Sequence, residues 1–550
     1  MAGDRQEGTN RLLAYIRQLE TEGYRWKGLA IHLAMDNVPP RPDLVDFVRH
    51  FNGAQPGVRA RLSTNQDFFS YMEQQHGGEF SAHRGAWPDW WANGNASAAY
   101  ETACSRRAKA LLARNAGLAR QLGRPRDDAQ VSRAVEQILM FDEHTWGFNA
   151  SVTRPWSTAS RVQWTKKRVL AGEAMETARD EERRLLEGAA GKGELALVNP
   201  ADAGYAGPVS APAGTLPAWK DEAGAILLGQ RGAKAPFPVD TPEMVFWADL
   251  PARSTRRFRA AGRRKSIALF EGIESPFYRL VCDDATGRIA DLLDKRLGGS
   301  LCDASAEWGL GELIHERAKS GSREMMYDLS KGITSPDSKR PCPEFERVGG
   351  HRTARRIVLA RGPVFNGIVT RGSVPGARFV REVRLYHGGP RVEVLLHVEK
   401  QVVTTYESLY VAFPFAGAEP AVFVENAGAV YRPGVEQLPG SATDWHSVGD
   451  YVAVSDGRRT IVLVPLDAPV AQVGGIHTGK WQKRLAVGNG HVYSWIMNNM
   501  WFTNFPAFQE GVVTLAYALT SQAGAFDRAA AQAFASSVRQ GVALAIGPAE

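Results

Sequence analysis

Residues 378–399 read RFVREVRLYHGGPRVEVLLHVE, and this stretch decides the architecture of the larger part of the chain. Residues 378–386 and 391–399 are two runs rich in Val, Leu and Phe at strand period, and His387-Gly388-Gly389-Pro390 between them is a turn signal, so the whole reads as an antiparallel hairpin. The same grammar recurs on both sides. Residues 277–282 and 288–292 flank Asp284-Ala285-Thr286-Gly287 as a second hairpin, and 409–415, 460–466, 492–497 and 512–519 read as further strands. From about residue 215 onward the expectation is a large antiparallel β-sandwich, followed by a short helix over 526–538.

Upstream the period changes from two to 3.6. Helices are predicted over 97–122, ending at Gly123, over 127–140, and over 157–186, ending near Gly188, and three long helices in succession predict an antiparallel three-helix bundle. Residues 10–85 alternate instead. Leu12, Leu13, Ile16 and Leu19 recur at helical spacing; 29–35 (LAIHLAM) is an apolar run of strand length stopped by Asp36-Asn37-Val38-Pro39-Pro40. Leu44, Phe47, Val48 and Phe51 then share a helical face, 58–62 reads as a second strand, and another helix follows Thr64. This helix–strand alternation implies parallel strands, too few to close a barrel, hence a partial α/β barrel. The expected fold class is multidomain, α/β + α + β, with boundaries at 1–90, 91–190 and 191–550.

Composition narrows the functional classes. With 550 residues, 44% hydrophobic and 23% charged, the chain reads as several globular domains. The net charge of +7 is carried by clusters such as 252–264 (ARSTRRFRAAGRR), which lack aromatic interleaving and read as a solvated basic segment, so no nucleic-acid partner is expected. Cys104, Cys282, Cys302 and Cys342 are far apart, without a CxxC pair, which argues against a disulfide framework. The first twenty residues do not form a secretory leader and no apolar run approaches the ~18 residues of a spanning helix. A soluble protein without a membrane partner is expected, the cytoplasm favoured for want of a leader or disulfide pattern, with compartment and oligomeric state left open.

Three segments could carry chemistry. Asp36 follows an apolar run, where a parallel sheet places ligands, although a loop Asp is also an ordinary turn residue. Asp142-Glu143-His144-Thr145-Trp146 groups two carboxylates and an imidazole beside an indole, a mixture suited to a metal or sugar site or to a helix terminus with Trp146 in the core. Trp87, Trp90 and Trp91 cluster with Asp89 and Asn93, as in a sugar site or in a buried core.

Taken together, these motifs resemble a known family. Met35-Asp36-Asn37-Val38-Pro39-Pro40, then 87–97 leading into Arg106-Arg107-Ala108, 141–147 (FDEHTWG), 277–303, 407–415 (ESLYVAFPF), 466–470 (LDAPV) and 495–506 (WIMNNMWFTNFP) follow one another in an order that resembles the later part of a glycoside hydrolase family 38 α-mannosidase, in particular a bacterial branch carrying HTWG. The resemblance implies a retaining glycosidase acting on an oligosaccharide or glycan, with an α/β-barrel catalytic domain, a three-helix bundle and a galactose-mutarotase-like β-sandwich. It implies a zinc ion that grips sugar hydroxyls, and two carboxyls about 5 Å apart across the glycosidic bond. Asp36 matches the acid/base, His144 the zinc ligand, with Asp142 taking that place if the alignment shifts, and Trp91 the indole that stacks on the sugar; Asn37, Trp90 and Trp146 fall among the substrate-binding positions. The family's His-x-Asp zinc motif has no match, since none of the twelve His has an Asp two residues on. The expectation is therefore a chain that lacks the opening of the barrel and its nucleophile and is inactive alone. The competing reading is a non-catalytic carbohydrate-binding β-sandwich protein.

Overall fold

The computed structural model describes residues 5–32, 38–212, 214–233, 244–262, 272–319, 344–480, 482–501 and 503–548. The chain divides into two compact units, Met1–His83 and Arg84–Glu550. The first contains α1 (Arg5–Thr21), α2 (Leu44–Ala54) and α3 (Asn65–His76). Thr64 caps α3 by accepting the Asp67 N–H at 3.2 Å, and Phe51 and Met72 are buried.

The strands expected in this unit are not formed among its described residues. Residues 29–32 are irregular, and 33–37, with Asp36 and Asn37, lie outside the described residues. Residues 58–62 are turn and coil, with Leu62 exposed. The physical reason is visible at Ala60, whose N–H and C=O are both taken by the Asn52 side-chain amide at 2.8 and 2.9 Å. An amide side chain supplies the hydrogen bonds that a neighbouring strand would have made, so among the described residues the helix–strand alternation on which a partial barrel rests is not formed. Short apolar runs carry no period that separates strand from coil or helix.

The second unit begins with helices. α4 (Ala99–Leu122) ends at Gly123 in the left-handed conformation; α5 (Asp128–Asp142) and α6 (Thr158–Leu186) start at Asp127 and Ser157, whose side chains accept the Gln130 and Ser160 N–H groups. The three pack through small residues, Ala108, Ala134, Ala174 and Ala178, with Leu112, Ile138 and Met175 between them. The buried Glu181 carboxylate takes the Arg126 guanidinium at 2.7 and 2.9 Å and ties α6 to the chain ahead of α5.

The remainder is antiparallel sheet. The 378–399 hairpin forms as strands Ala377–Tyr386 and Val392–Lys400, with Arg378 opposite Glu399 and Leu385 opposite Val392. Its two turn glycines have a reason beyond the turn: a Cβ on Gly388 or Gly389 would stand 2.3 or 2.6 Å from the Trp247 ring. This hairpin sits in a nine-stranded sheet that runs from Arg355–Arg361 to Ala429–Tyr431. A six-stranded sheet, in the order Phe345–Gly349, Glu312–Ala318, Glu407–Phe415, Gly490–Asn498, Val470–Val473, His446–Ser447, packs against it. Leu313, Leu409, Val411, Phe413 and Val492 of the smaller sheet meet Val383, Val394, Leu396, Leu515 and Leu519 of the larger, a dry core between two faces. A third, seven-stranded sheet holds Glu194–Asn199 between Ser254–Ala260 and the late strand Ala543–Ile546. α7 (Arg528–Gln540) lays Ala531, Ala535 and Val538 on the outer face of the nine-stranded sheet.

Four arginines of the 252–264 cluster are engaged within the chain, Arg253 with Asp202, Arg256 with Asp221, Arg257 with the Ala189 carbonyl and Arg259 with Glu194. Cys104, Cys282 and Cys302 are free thiols. Among the described residues no helix is long and apolar enough to cross a membrane.

Candidate functional site

The segment ahead of α4 is built rigidly. Ala86 donates to the Glu436 carbonyl at 2.9 Å and accepts from the Leu438 N–H at 2.8 Å, and Pro88 accepts from the Ala442 N–H at 2.9 Å. Between these anchors Trp87 projects, 79% exposed. Asp89 then accepts the Trp91 N–H at 2.9 Å, and a 3-10 turn, Ala92–Ser97, leads into α4. The turn is held by the 495–506 block and the residues after it. Asn498 donates to the Asn93 carbonyl at 2.9 Å and accepts from Ser97 Oγ at 3.3 Å; Gln509 donates to the Ala96 carbonyl and accepts the first free N–H of α4, at Ala99, both at 2.8 Å. A Cβ at Gly94 would stand 2.6 Å from the Phe505 ring, so only glycine lets the turn sit this close.

On this base Trp91 lies against Trp501 at 5.2 Å, edge to face, and against His144 at 5.6 Å, while 47% of it stays exposed. His144 Nδ1 is 2.7 Å from Glu143 Oε1, which orients the imidazole. Burial alone would raise the Glu143 carboxyl, but the Thr145 N–H and hydroxyl and the Lys167 ammonium outweigh it and hold the group below the usual carboxylate range. An anionic, fixed acceptor thus sits behind an exposed imidazole beside an indole.

The other sequence candidates are placed elsewhere. Asp142 accepts from Ser105 Oγ at 2.8 Å and from Lys109 Nζ, both on α4. Trp146 is buried, donates to the Phe141 carbonyl at 2.7 Å and stacks on the Phe141 ring, the core position weighed for it from sequence. Trp90 donates to the Gly440 carbonyl and meets Trp445 edge to face. Of the candidates that can be placed, the structure therefore brings Trp91 and His144 together and turns Asp142, Trp146 and Trp90 to other partners.

His144 is committed to Glu143, Asp142 to α4, and among the described residues no group of three or more His, Cys, Asp or Glu side chains could hold a metal ion. Among the described residues the donors therefore do not fit a zinc ion, which takes three or four protein ligands.

Trp501, Asn498 and Gln509, to which the sequence assigned no individual role, do much of the positioning with Glu143; the density of Asn and aromatic residues in WIMNNMWFTNFP was the visible signal of the first two. The motif blocks also join one another. Arg106 donates to the Leu466, Val448, Gly449 and Pro465 carbonyls at 2.7–3.3 Å, and Arg107 forms a two-bond pair with Asp467 at 2.8 and 3.0 Å. Arg106-Arg107 and Leu466-Asp467 are two halves of one joint between α4 and the sandwich.

No protein-family model matches the chain, and no curated protein matches it. Solved structures do. An alpha-mannosidase from Enterococcus faecalis V583 aligns over 92% of this chain and 64% of its own length, with a TM-score of 0.63 at 13% identity. A protein in glycosyl hydrolase family 38 from Enterococcus faecalis aligns over 98% of this chain and 69% of its own length, with a TM-score of 0.65 at 12% identity. A putative aldose 1-epimerase from Escherichia coli K12 covers 46% of this chain at a TM-score of 0.29. At the first two scores the chain shares the fold of these glycosidase-class structures, and it spans just under two thirds of the first of them.

Proposed function

We propose that the chain is a carbohydrate-acting protein of the glycoside hydrolase family 38 kind, similar to the α-mannosidases, and that the exposed Trp91 and His144 are its sugar-facing surface. The observation that carries this reading is the Trp91 platform itself: an indole half open to solvent on a rigid turn, backed by Trp501, beside an exposed imidazole held through Nδ1 by Glu143. An indole face covers the apolar C–H side of a pyranose, and an imidazole can meet an adjacent hydroxyl. Retention is the proposed stereochemistry and Asp36 the proposed acid/base, both resting on the resemblance of the motif blocks.

A retaining reaction takes two carboxyl groups about 5 Å apart. Asp36 is the one carboxylate to which a catalytic role is assigned, so binding of an α-mannoside without turnover is expected of this chain. The test uses methyl α-mannoside in saturation-transfer NMR and an aryl α-mannoside in a hydrolysis assay. Binding that Trp91→Ala removes, with no hydrolysis, supports the reading. No binding refutes the reading, and turnover in the usual enzyme range of ~1–10³ s⁻¹ refutes the expected inactivity and the assignment of Asp36 as the one catalytic carboxylate.

A further inference from the structure

One end of the dry core between the two large sheets is closed by three polar side chains that the Trp91 surface does not use. Lys400 is the last residue of the strand Val392–Lys400 in the nine-stranded sheet, and Glu407 the first of Glu407–Phe415 in the six-stranded sheet. Lys400 Nζ stands 2.6 Å from Glu407 Oε1 and donates to the Gln401 carbonyl at 2.8 Å. The second carboxylate oxygen, Oε2, lies 3.0 Å from His315 Nε2. The Lys400, Glu407 and His315 side chains are 3%, 7% and 3% exposed.

The pair is fixed from every side. The Glu407 N–H donates to Asn499 Oδ1 at 2.9 Å, and the Glu407 carbonyl accepts from the Asn499 N–H at 3.3 Å. Arg317, opposite Glu407 in register, turns instead to Glu346 at 2.8 and 2.9 Å, so no guanidinium competes for the carboxylate. Gly376, at a φ of 66°, closes over the contact: a Cβ there would stand 3.3 Å from Lys400 Nζ and 3.6 Å from Glu407 Oε2. Beside the pair opens a cavity of about 10 Å³, just the space of one water molecule, whose lining includes Lys400, Glu407, Met497, Asn499 and Gln509.

Two ions in a dry site carry the desolvation cost of both charges. The other lysine–carboxylate pairs among the described residues, Lys109–Asp142 and Lys167–Glu143 included, keep at least one partner in water. At Lys400 and Glu407 chemistry can remove both charges, because an amine and a carboxyl held in contact are the reactants of amide condensation. Such confinement is equivalent to an effective concentration of about 10⁵–10⁸ M. We propose that Lys400 and Glu407 condense to an isopeptide bond that joins the two sheets. Nζ passes a proton to Oε1, and the resulting amine attacks Cδ. His315 Nε2–H, which beside a carboxylate carries the proton, donates to the negative charge that gathers on Oε2. The Cδ–Oε1 bond then breaks, Oε1 takes a second proton from Nζ and leaves as water into the cavity, and Oε2 becomes the amide carbonyl. One C–N bond forms, one C–O bond breaks, and the step needs neither oxidant nor reductant. It is independent of the Trp91 reading.

The test is mass spectrometry of the full chain. Trypsin separates 392–400 from 401–432 in an unlinked chain; a condensed Lys400 resists cleavage, so the unfolded digest is expected to contain one looped peptide, 392–432, lighter by one water, about 18 Da. The intact chain is expected to be lighter by the same amount, and Lys400→Met to keep its full sequence mass. In freshly translated chain, His315→Ala is expected to slow the appearance of the looped peptide about a hundredfold, as loss of one oxyanion donor does. The wild-type digest decides the matter even if Lys400→Met fails to fold. Free 392–400 and 401–432 from aged, folded chain overturn the proposal. So does a water lost elsewhere, such as an imide at an Asp, or a loss of ammonia, about 17 Da, which would put the bond on an amide such as Asn499.

Discussion

Arg107→Met tests the joint that fixes α4 to the sandwich. Asp467 is buried, and its carboxylate receives three N–H groups: Arg107 Nε at 2.8 Å, Arg107 Nη2 at 3.0 Å and the Ala516 backbone at 2.7 Å. The attraction of Asp467 in turn holds the Arg107 charge more tightly than usual. Removing the guanidinium leaves a buried anion with one donor. Breaking a buried pair on one side costs ~3–5 kcal/mol. Because the Arg107 side chain is partly exposed, water can reach the vacated space, and about 2–4 kcal/mol is the expected loss. Followed by tryptophan fluorescence in urea at pH 7, with a slope of about 3 kcal/mol/M, the midpoint falls by about 1 M. Asp467→Leu removes the stranded charge, so the double variant Arg107→Met/Asp467→Leu is expected to recover part of the loss. A shift in Arg107→Met below ~0.2 M, or strictly additive costs in the double variant, would refute the account of the joint.

Other outcomes follow from the same structure. Trp146→Ala is expected to cost ~3–5 kcal/mol in the same assay, as for other buried aromatic truncations, whereas Trp91→Ala should cost under ~1 kcal/mol while removing methyl α-mannoside binding. Burial depresses His446 to about 3 and His397 to about 4. The unfolded chain takes up protons at these positions below ~6.5 while the folded chain does not, so their contribution is full above pH ~6.5 and is lost as pH falls toward 4 and 3, at ~1.4 kcal/mol per pH unit for each. His446→Gln should flatten the dependence of the urea midpoint between pH 6.5 and 4.5, and an unchanged slope would refute the assignment. Added zinc should leave the thermal midpoint within about 1 °C; a rise of several degrees that His144→Ala abolishes would place a metal at His144.

What could be read from the sequence was local. The hairpin at 378–399, the helix that ends at Gly123 and the strand at 492–497 are written in neighbouring residues, as period, turn and cap, and they form within a few residues of their expected bounds. Residues 29–35 and 58–62 offered an apolar run without a period, and at 58–62 the Asn52 amide decided the outcome. The site was legible to the extent that it is aromatic: Trp91 and His144 were named, yet their supports, Trp501 and Asn498, lie some four hundred positions away. His315 and Glu407 are 92 residues apart, and no pattern in either segment announces the other. Asp142 was grouped with His144 because they are two residues apart; the end of a helix lies between them, and it sends their side chains to different neighbours.

The strand Glu194–Asn199 pairs on one side with Ala543–Ile546, in register from Leu195 with Ile546 to Val198 with Ala543. At a synthesis rate of ~5–20 residues per second, the partner emerges from the ribosome roughly 20–70 s after the strand it completes. During that interval one edge of the seven-stranded sheet has open backbone donors and acceptors, and Ala196 and Val198 lack the cover of Ala543 and Ala545. The nascent chain therefore carries a long-lived sticky edge, on which a ribosome-associated chaperone or a second nascent chain could settle before the native partner arrives.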